Sequence, residues 1–375
     1  MATQIQQTKR FFLPLEIIQE IVGHVTATSK VHNRRRLKTL RLINKFFYYA
    51  ASRLLFSTCR IYFTEDPNYP FCDLEYLQQS NIASFVRNLL IICRPPKDLQ
   101  SLPNAAQQLQ PLLITCLPRL TRLRRLEFQS PVKGTPTQNL LARTLATTLS
   151  EGLKTSPPPS LEELSFEHRY VHDKSRTALC TNTIPTSVLA RIMHIQIANT
   201  SQFSRSFYVR ELSPIFDILR YGQHLVSVEL SGLEDTVIDG ACSFFIHPDA
   251  PLRNLKLANV LTSATRLIAL RDARNTLRHV AFHGVELTSG TWEEVFRAFS
   301  GCDSLVTLEV YGCGYFHRKK DSQWRGKKEN LLTTRAGDIN ALENSRAMVK
   351  KNRAKFCDAH RNNEVEDPFV RELIY

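Results

Sequence analysis

Histidine and cysteine are the residues of this sequence that could bind a metal ion or act as nucleophiles. Their spacing indicates neither a metal site nor a reactive thiol. His279 and His283 lie four residues apart on one predicted strand, where alternate side chains share a face. Two such imidazoles could hold a metal ion, but surface histidines are the favoured interpretation because no cluster with ligand spacing accompanies them. The nine cysteines form no CxxC pair, and Cys302 and Cys313 fit buried thiols in a repeat.

Sequence motifs for nucleotide or metal catalysis are also absent. The chain has no GxxxxGKS/T or GxGxxG loop and no HExxH, so a phosphate loop or a zinc protease site is not indicated. No nucleophile has a base at a recognisable spacing. We therefore expect a non-catalytic protein with no metal site and no cofactor.

Composition and charge narrow the class of protein further. The 375 residues are 43% hydrophobic and 22% charged, which is typical of folded globular domains. The polar N-terminus and the lack of a long apolar run predict a cytoplasmic or nuclear protein without a membrane partner. The net charge of +14 lies at the ends: residues 1–62 hold 11 basic against 2 acidic residues, and residues 317–375 hold 14 against 9. Basic ends fit an acidic protein, nucleic acid or an anionic surface.

Two apolar stripes at the N-terminus predict amphipathic helices. Ile17, Ile18, Ile21 and Val22 recur at helical spacing after Pro14. A second stripe runs over residues 37–54, after a polar linker at residues 26–36. So small a unit cannot bury both stripes alone, so it either docks on a partner or caps the next domain.

The residues of these stripes resemble an F-box. The resemblance rests on Leu13-Pro14-x-Glu16-Ile17-Ile18, then Leu37-x-x-Leu40, then Leu42-Ile43-Asn44-Lys45-Phe46-Phe47, with an exit segment that reaches residue 63. The linker is longer than the family usually has. The resemblance implies binding to a Skp-family adaptor and, through it, to the cullin of a ubiquitin ligase. The residues implied at that interface are Leu13, Pro14, Ile17, Ile18, Ile21, Leu40, Ile43 and Phe47.

Downstream, one apolar pattern recurs eight times. Apolar-x-x-apolar-x-apolar begins at residues 86, 123, 161, 192, 225, 252, 277 and 305, and each unit ends in a strand-like alternation. A glycine, asparagine or serine follows most strands, and helix-like stretches at 140–153, 212–221, 265–273 and 291–299 lie between them. The chain is similar to degenerate leucine-rich repeats, so the predicted fold class is α/β with an irregular solenoid. An ordinary α/β domain is the alternative.

The alternate residues of the predicted strands indicate a binding face. Solenoids bind partners on the strand face, and the mixed charges here favour a protein client over nucleic acid. Only the first unit, with Leu90 and Ile92, breaks the alternation, as an end unit covered by the N-terminal helices would. The predicted client-binding residues are Arg125, Glu127, Glu163, Glu167, His194, Gln196, Ser227, Glu229, Asn254, Lys256, His279, His283, Thr307, Glu309 and Tyr311.

The predicted organisation has three parts. Residues 10–63 form the F-box and its exit, residues 80–316 the repeats, and residues 317–375 a basic, partly helical tail. The favoured function is substrate recognition for a Skp–cullin–F-box ubiquitin ligase. The alternatives are a repeat scaffold that does not serve a ligase and a nucleic-acid-associated protein that uses its basic ends.

Overall fold

The protein is described here by a computed structural model. It describes residues 13–27, 33–63, 72–93, 102–129, 148–168, 185–199, 221–232, 247, 249–270, 275–316 and 331–363. The predicted helix at 212–221 and the basic clusters near residues 318–328 fall outside these ranges, except for Tyr221.

The described residues build an α/β protein around a parallel sheet. Nine strands lie side by side in the order of the sequence, β1-β2-β3-β4-β5-β6-β7-β9-β11, within the described part of the chain. The eight predicted strands are all present. The bounds are β1 Thr58–Phe63, β2 Asn88–Cys93, β3 Arg125–Gln129, β4 Glu163–His168, β5 His194–Asn199, β6 Ser227–Ser231, β7 Asn254–Ala258, β9 His279–His283 and β11 Thr307–Tyr311.

Equivalent positions of the repeated pattern pair across the sheet without a shift in register. Leu126 pairs with Leu164, Leu164 with Ile195, and Ile195 with Val228. These side chains are at most 2% exposed, because the alternation of a strand turns every second residue to the same face. The apolar positions of every repeat therefore join one continuous core.

A tight turn after each of β7, β9 and β11 leads into a second, shorter sheet. Gly232, Asn259, Gly284 and Gly312 each adopt a positive φ at the equivalent position, where glycine and asparagine are favoured. This is the position at which the sequence predicts turn residues. The second sheet is also parallel, with the order β13-β12-β10-β8 among the described residues. Its strands are β8 Leu261–Thr262, β10 Glu286–Leu287, β12 Cys313–Tyr315 and β13 Leu331–Leu332.

Gly284→Ala is expected to destabilise the protein by about 1–2 kcal/mol, because an L-residue is strained at a positive φ. The φ of Gly284 is 63°, and an added Cβ would lie 2.6 Å from Oδ1 of Asn259. Gly301→Ala is the matched control, since its Cβ would meet nothing closer than 3.6 Å. Urea unfolding of both variants measures the difference, and equal midpoints would contradict the strain argument.

Helices flank the sheet and connect its strands. The bounds are α1 Leu15–Ala27, α2 Asn33–Leu40, α3 Lys45–Leu55, α4 Cys72–Gln79, α5 Leu102–Cys116, α6 residues 148–155, α7 Thr186–Leu189, α8 Ala264–Ala269, α9 Trp292–Phe299 and α10 Ala336–Asn363. The predicted helices at 140–153, 265–273 and 291–299 correspond to α6, α8 and α9 where they are described. In α9, Thr291 and Glu294 form a reciprocal capping box that fixes the first turn.

The N-terminal segment contains three helices rather than the two that its stripes indicate. The second stripe breaks at residues 41–44, because Oδ1 of Asn44 accepts hydrogen bonds from the amides of Phe46 and Phe47 and starts α3 there. The polar linker is also shorter than predicted, since α2 already begins at Asn33. A separate small core holds the three helices together, and its buried residues are Ile18, Val22, Leu37, Ala50 and Ala51.

Strand β1 extends the sheet beyond the first predicted repeat. The sequence places residues 58–63 in the exit of the F-box-like segment, but they pair in parallel with β2 along their full length. The half-buried Leu90 and Ile92 of β2 therefore belong to an internal strand, not to the end unit that the sequence indicates. Phe56, Cys59 and Ile61 have the same apolar spacing as the later units, and this spacing could have predicted β1 from the sequence.

The C-terminal helix α10 packs on the last repeat instead of extending freely. Ala341, Leu342 and Val349 join the main core. The buried carboxylate of Asp338 accepts hydrogen bonds from the Glu293 amide, the Tyr315 hydroxyl and the Thr333 hydroxyl. The sequence predicts a charged extension in this region. The charged residues lie on the outer side of α10, and its inner side packs on the last repeat.

Candidate functional site

Helix α1 and the two residues before it present two apolar rows with different environments. Ile18 and Val22 are 2% and 0% exposed and form the small core. Leu13, Ile17 and Ile21 follow one another at intervals of four residues, and their exposed fractions are 52%, 42% and 38%. Folding of the chain therefore buries the first row and leaves the second row exposed to solvent.

A second group of exposed apolar side chains lies at the turn between α2 and α3. Leu42 and Ile43 are 86% and 57% exposed, and Leu40 and Phe47 are half-buried beside them. The guanidinium of Arg41 lies 4.7 Å from the ring centre of Tyr48 and 4.9 Å from that of Phe56, which ties the turn to α3. This fixed geometry holds Leu42 and Ile43 outward.

Seven of the eight predicted adaptor residues are thus at least partly accessible. Pro14 is exposed as well, and only Ile18 is buried, where it supports the helix from below. Their role in binding stays a prediction. Sequence reasoning missed four further exposed apolar side chains of this segment: Leu15, Leu42, Tyr49 and Leu54. Leu42 belongs to the quoted motif and Leu54 to the second stripe, so these two could have been found.

The three helices are fastened to the sheet rather than tethered loosely. The rings of Tyr49 and Phe85 meet edge to face at 6.4 Å. The carbonyl of Ser57 accepts hydrogen bonds from the amides of Arg87 and Asn88, which begins the ladder between β1 and β2. Helices α1–α3 therefore hold a defined position relative to the strand face.

The predicted client-binding residues form rows that run across the strands. The parallel register places one residue of each strand beside its equivalent in the next. The first row is Arg125, Glu163, His194, Ser227, Asn254, His279 and Thr307, the second is Glu127, Ser165, Gln196, Glu229, Lys256, Ala281 and Glu309, and the third is Gln129, Glu167, Ala198, Ser231, Ala258, His283 and Tyr311. All 15 predicted residues therefore share one face.

Charged residues on this face pair with each other across neighbouring strands. The Arg125 guanidinium lies 3.7 Å from the Glu163 carboxylate, and Nζ of Lys256 lies 2.7 Å from the Glu229 carboxylate. Each pair is partly exposed, so it adds little stability but fixes the side-chain positions. The 15 residues include five carboxylates and two permanent cations, which disfavours phosphate binding across the face.

The histidines of the face do not assemble into a metal site. Nδ1 of His279 lies 3.1 Å from the Thr307 hydroxyl, and Nε2 of His283 lies 3.4 Å from the Glu309 carboxylate. His194 belongs to β5, three strands away from β9 in the sheet. Within the described ranges, no group of three or more histidines, cysteines or acidic residues is placed to hold a metal ion.

Buried thiols behave as the repeat pattern predicts. Cys302 and Cys313 are fully buried, and Sγ of Cys313 donates to the Phe282 carbonyl at 3.2 Å. Burial raises the pKa of the Cys313 thiol to about 12, and burial with the nearby Cys59 does the same for Cys116. These thiols are poor nucleophiles because the thiolate is the reactive form.

Alkaline pH is expected to weaken the fold through these thiols. Their pKa is near 8.5 in an unfolded chain, so between pH 9 and 11 the unfolded state binds fewer protons than the native state and stability falls as pH rises. At pH 10 the loss is about 2 kcal/mol for each of Cys116 and Cys313. Urea unfolding at pH 7.5 and pH 10 measures it. Cys116→Ala/Cys313→Ala should flatten the pH dependence, and an unchanged dependence would contradict the assignment.

No helix in the described segments combines the length and the hydrophobicity that crossing a membrane requires.

Comparisons with known proteins give only distant structural similarities. No family model and no curated protein matches the chain. The yeast complex of Rad7 and Elc1 covers 85% of this chain and 86% of its own at 12% identity and a TM-score of 0.26. The leucine-rich repeat domain of the type III effector XopL covers 82% of this chain and 90% of its own, at 10% identity and a TM-score of 0.23. An internalin from Listeria monocytogenes covers 88% of this chain and 92% of its own, at 11% identity and a TM-score of 0.27. Similarities this low do not establish a shared function.

Proposed function

We propose that the protein is a non-catalytic substrate receptor of a cullin-based ubiquitin ligase. Helices α1–α3 bind a Skp-family adaptor, and the strand face binds a protein client in the cytoplasm, the nucleus or both. The receptor contributes proximity, since it raises the concentration of the client near a ubiquitin-loaded enzyme. No acid, base or nucleophile of this chain takes part.

The observation that carries the proposal is the exposed apolar row of α1 together with the outward turn at Leu42 and Ile43. Clustered apolar side chains that folding leaves exposed mark a site of association. Its helical spacing fits recognition of a helix in a groove. The basic residues around it, Arg34, Arg35 and Lys38 on the exposed side of α2, would speed encounter with an acidic adaptor.

The test is co-purification of the full chain with a Skp-family adaptor and a cullin. We expect the three proteins to elute as one complex in gel filtration, and the adaptor to be lost when residues 1–56 are removed. If the full chain elutes alone, folded and monomeric, the receptor proposal is wrong.

A repeat scaffold that uses α1–α3 as a cap is the second candidate. It is supported by the small core that holds the three helices together and by the contact of Tyr49 with Phe85, which attaches them to the segment before β2. It predicts a chain that is stable and soluble without any adaptor, and the gel filtration above separates the two candidates.

A further inference from the structure

Strand β11 is an edge of the main sheet in the described part of the chain, since no strand there lies beyond it. The amide of Thr307 donates to the Arg278 carbonyl at 3.0 Å and so begins the ladder with β9. Consecutive residues of a strand turn their backbone groups to opposite sides. The amides and carbonyls of Leu308 and Val310 therefore point away from β9, and an extended segment could pair with them.

Helix α10 leads the chain to the start of this edge. Near its first turn, the Asp338 carboxylate accepts a hydrogen bond from the hydroxyl of Tyr315, which follows β11 in the sequence. Further along α10, Nε of Arg353 donates to the carbonyl of Val306, the residue before β11, at 3.1 Å. The helix therefore runs opposite to β11. A segment that follows α10 reaches the edge from the end at which β11 begins, as β11 itself does after α9.

The sequence after α10 contains the repeated pattern once more. Val370-x-x-Leu373-x-Tyr375 has the spacing apolar-x-x-apolar-x-apolar of the eight earlier units. Pro368 stands two residues before this unit, as another proline does before the unit that begins at residue 161. A proline fits there because it lies outside the part of the unit that pairs in the ladder. Residues 370–375 thus carry the same pattern as the strands of the main sheet.

Alignment of this unit with the unit that contains β11 makes the apolar positions coincide. Leu373 falls beside Leu308, and Tyr375 falls beside Val310. The same unshifted register joins neighbouring strands from β3 to β11. The position between Leu373 and Tyr375 would lie on the strand face and is apolar, as it is in β2.

The length of chain after α10 allows this pairing. From Arg353, which contacts the start of β11, the helix continues to Asn363, a rise of about 15 Å. The six residues 364–369 can span about 20 Å when extended. They are therefore long enough to return the chain to the start of the edge.

Two other occupants of the edge fit less well. Residues 317–330 precede β13, and at the spacing with which β7 precedes β8 their inward positions would be Arg325 and Lys327. Cations buried there would cost free energy. Strand β1 of a second copy would bring Arg60 to Glu309, a complementary pair. A segment joined to α10 by a short linker has the advantage of an effective concentration of about 1 mM.

We propose that residues 370–375 dock along the outer edge of β11 as a parallel strand and close the main sheet. The contact protects the edge from other extended segments, so a partner strand can add there only by displacing residues 370–375. This inference goes beyond the receptor proposal and does not depend on it.

The test is hydrogen exchange of the full chain, read at single amides by mass spectrometry. The amides of Leu308 and Val310 should exchange slowly, and Leu373→Asp/Tyr375→Asp should accelerate both by about tenfold or more. Val365→Asp/Phe369→Asp adds the same charge ahead of the unit and should leave both rates unchanged. The Val280 amide of β9 is the internal reference and should stay slow in both variants.

Three outcomes would overturn the inference. Equally fast exchange in the full chain and in Leu373→Asp/Tyr375→Asp would show an open edge. Protection that falls on dilution and is lost in Arg60→Glu would make a second copy the occupant. Protection lost in Arg325→Gly/Lys327→Gly but kept in Leu373→Asp/Tyr375→Asp would assign the edge to the residues before β13. Adaptor binding is tested at α1–α3, next to the opposite edge strand β1, so none of these results bears on the receptor proposal.

Discussion

Ile17→Asp/Ile21→Asp is expected to weaken binding of the Skp-family adaptor by more than about 100-fold, with little change in the stability of the protein. Both side chains belong to the exposed row of α1, at 42% and 38% exposure, so their replacement opens no cavity. An apolar residue at the centre of an interface contributes about 2 kcal/mol or more, and a buried, unpaired carboxylate adds a further penalty. Two such positions together exceed the 2.7 kcal/mol that corresponds to about 100-fold.

The measurement is calorimetric titration of the purified adaptor into wild type and variants, with urea unfolding of each chain alone. Ile18→Val is the matched control, because Ile18 neighbours Ile17 in sequence but is 2% exposed. It should cost about 1 kcal/mol of stability and leave the adaptor affinity nearly unchanged. If both variants keep full affinity, α1 is a cap of the sheet and the scaffold becomes the better function.

The repeated strands could be predicted because each one carries its own complete pattern. Leu126 and Phe128, or Val280 and Phe282, alternate with polar residues within five positions, and the same unit recurs along the chain. Parallel pairing in sequence order then follows from stacking equivalent units. Strand β1 was not predicted, because Cys59 is only weakly apolar and because residues 58–63 were assigned to the exit of the F-box-like motif.

Which side of α1 faces the protein could not be predicted from the sequence. Ile17, Ile18, Ile21 and Val22 have nearly the same chemistry, and only the positions of α2 and α3 decide that one row is buried. The break at Asn44 sets those positions, through two hydrogen bonds that the apolar stripe does not reveal. The list of adaptor residues therefore mixed Ile18, which supports the helix, with exposed neighbours.

The packing of α10 was hidden for a related reason. Its inward side carries Asp338, Ser345 and Asn352 among the apolar residues, so the stripe looks irregular in sequence. Nδ2 of Asn352 donates hydrogen bonds to the carbonyls of Cys302 and Leu305. Both residues precede β11, which has no further strand beside it in the described part of the main sheet. Polar residues here satisfy backbone groups at the end of the sheet, and hydropathy alone cannot show this.

Trp292→Ala is expected to destabilise the protein by about 3–5 kcal/mol, as a large buried aromatic residue does when it is truncated. Trp292 is fully buried, and its ring centre lies 5.3 Å from that of Phe296 and 5.8 Å from that of Phe282. Its Nε1 donates to the Gly314 carbonyl at 2.8 Å, so the change also leaves a buried acceptor unpaired. Thermal and urea unfolding measure the loss.

The same substitution should loosen the C-terminal helix before the rest of the sheet. The backbone amide of Trp292 donates to the hydroxyl of Tyr315, which in turn donates to Asp338 of α10. The substitution keeps this amide, but it removes the ring and its hydrogen bond to the carbonyl of Gly314, the residue before Tyr315, and so loosens the network that docks α10. Hydrogen exchange should accelerate in α9 and α10 and stay slow in β3 and β4. Trp292→Phe is the control, since it keeps most of the packing and loses only the indole donor. Uniform acceleration along the sheet would contradict this expectation, because it would show that the repeats and α10 unfold as one unit.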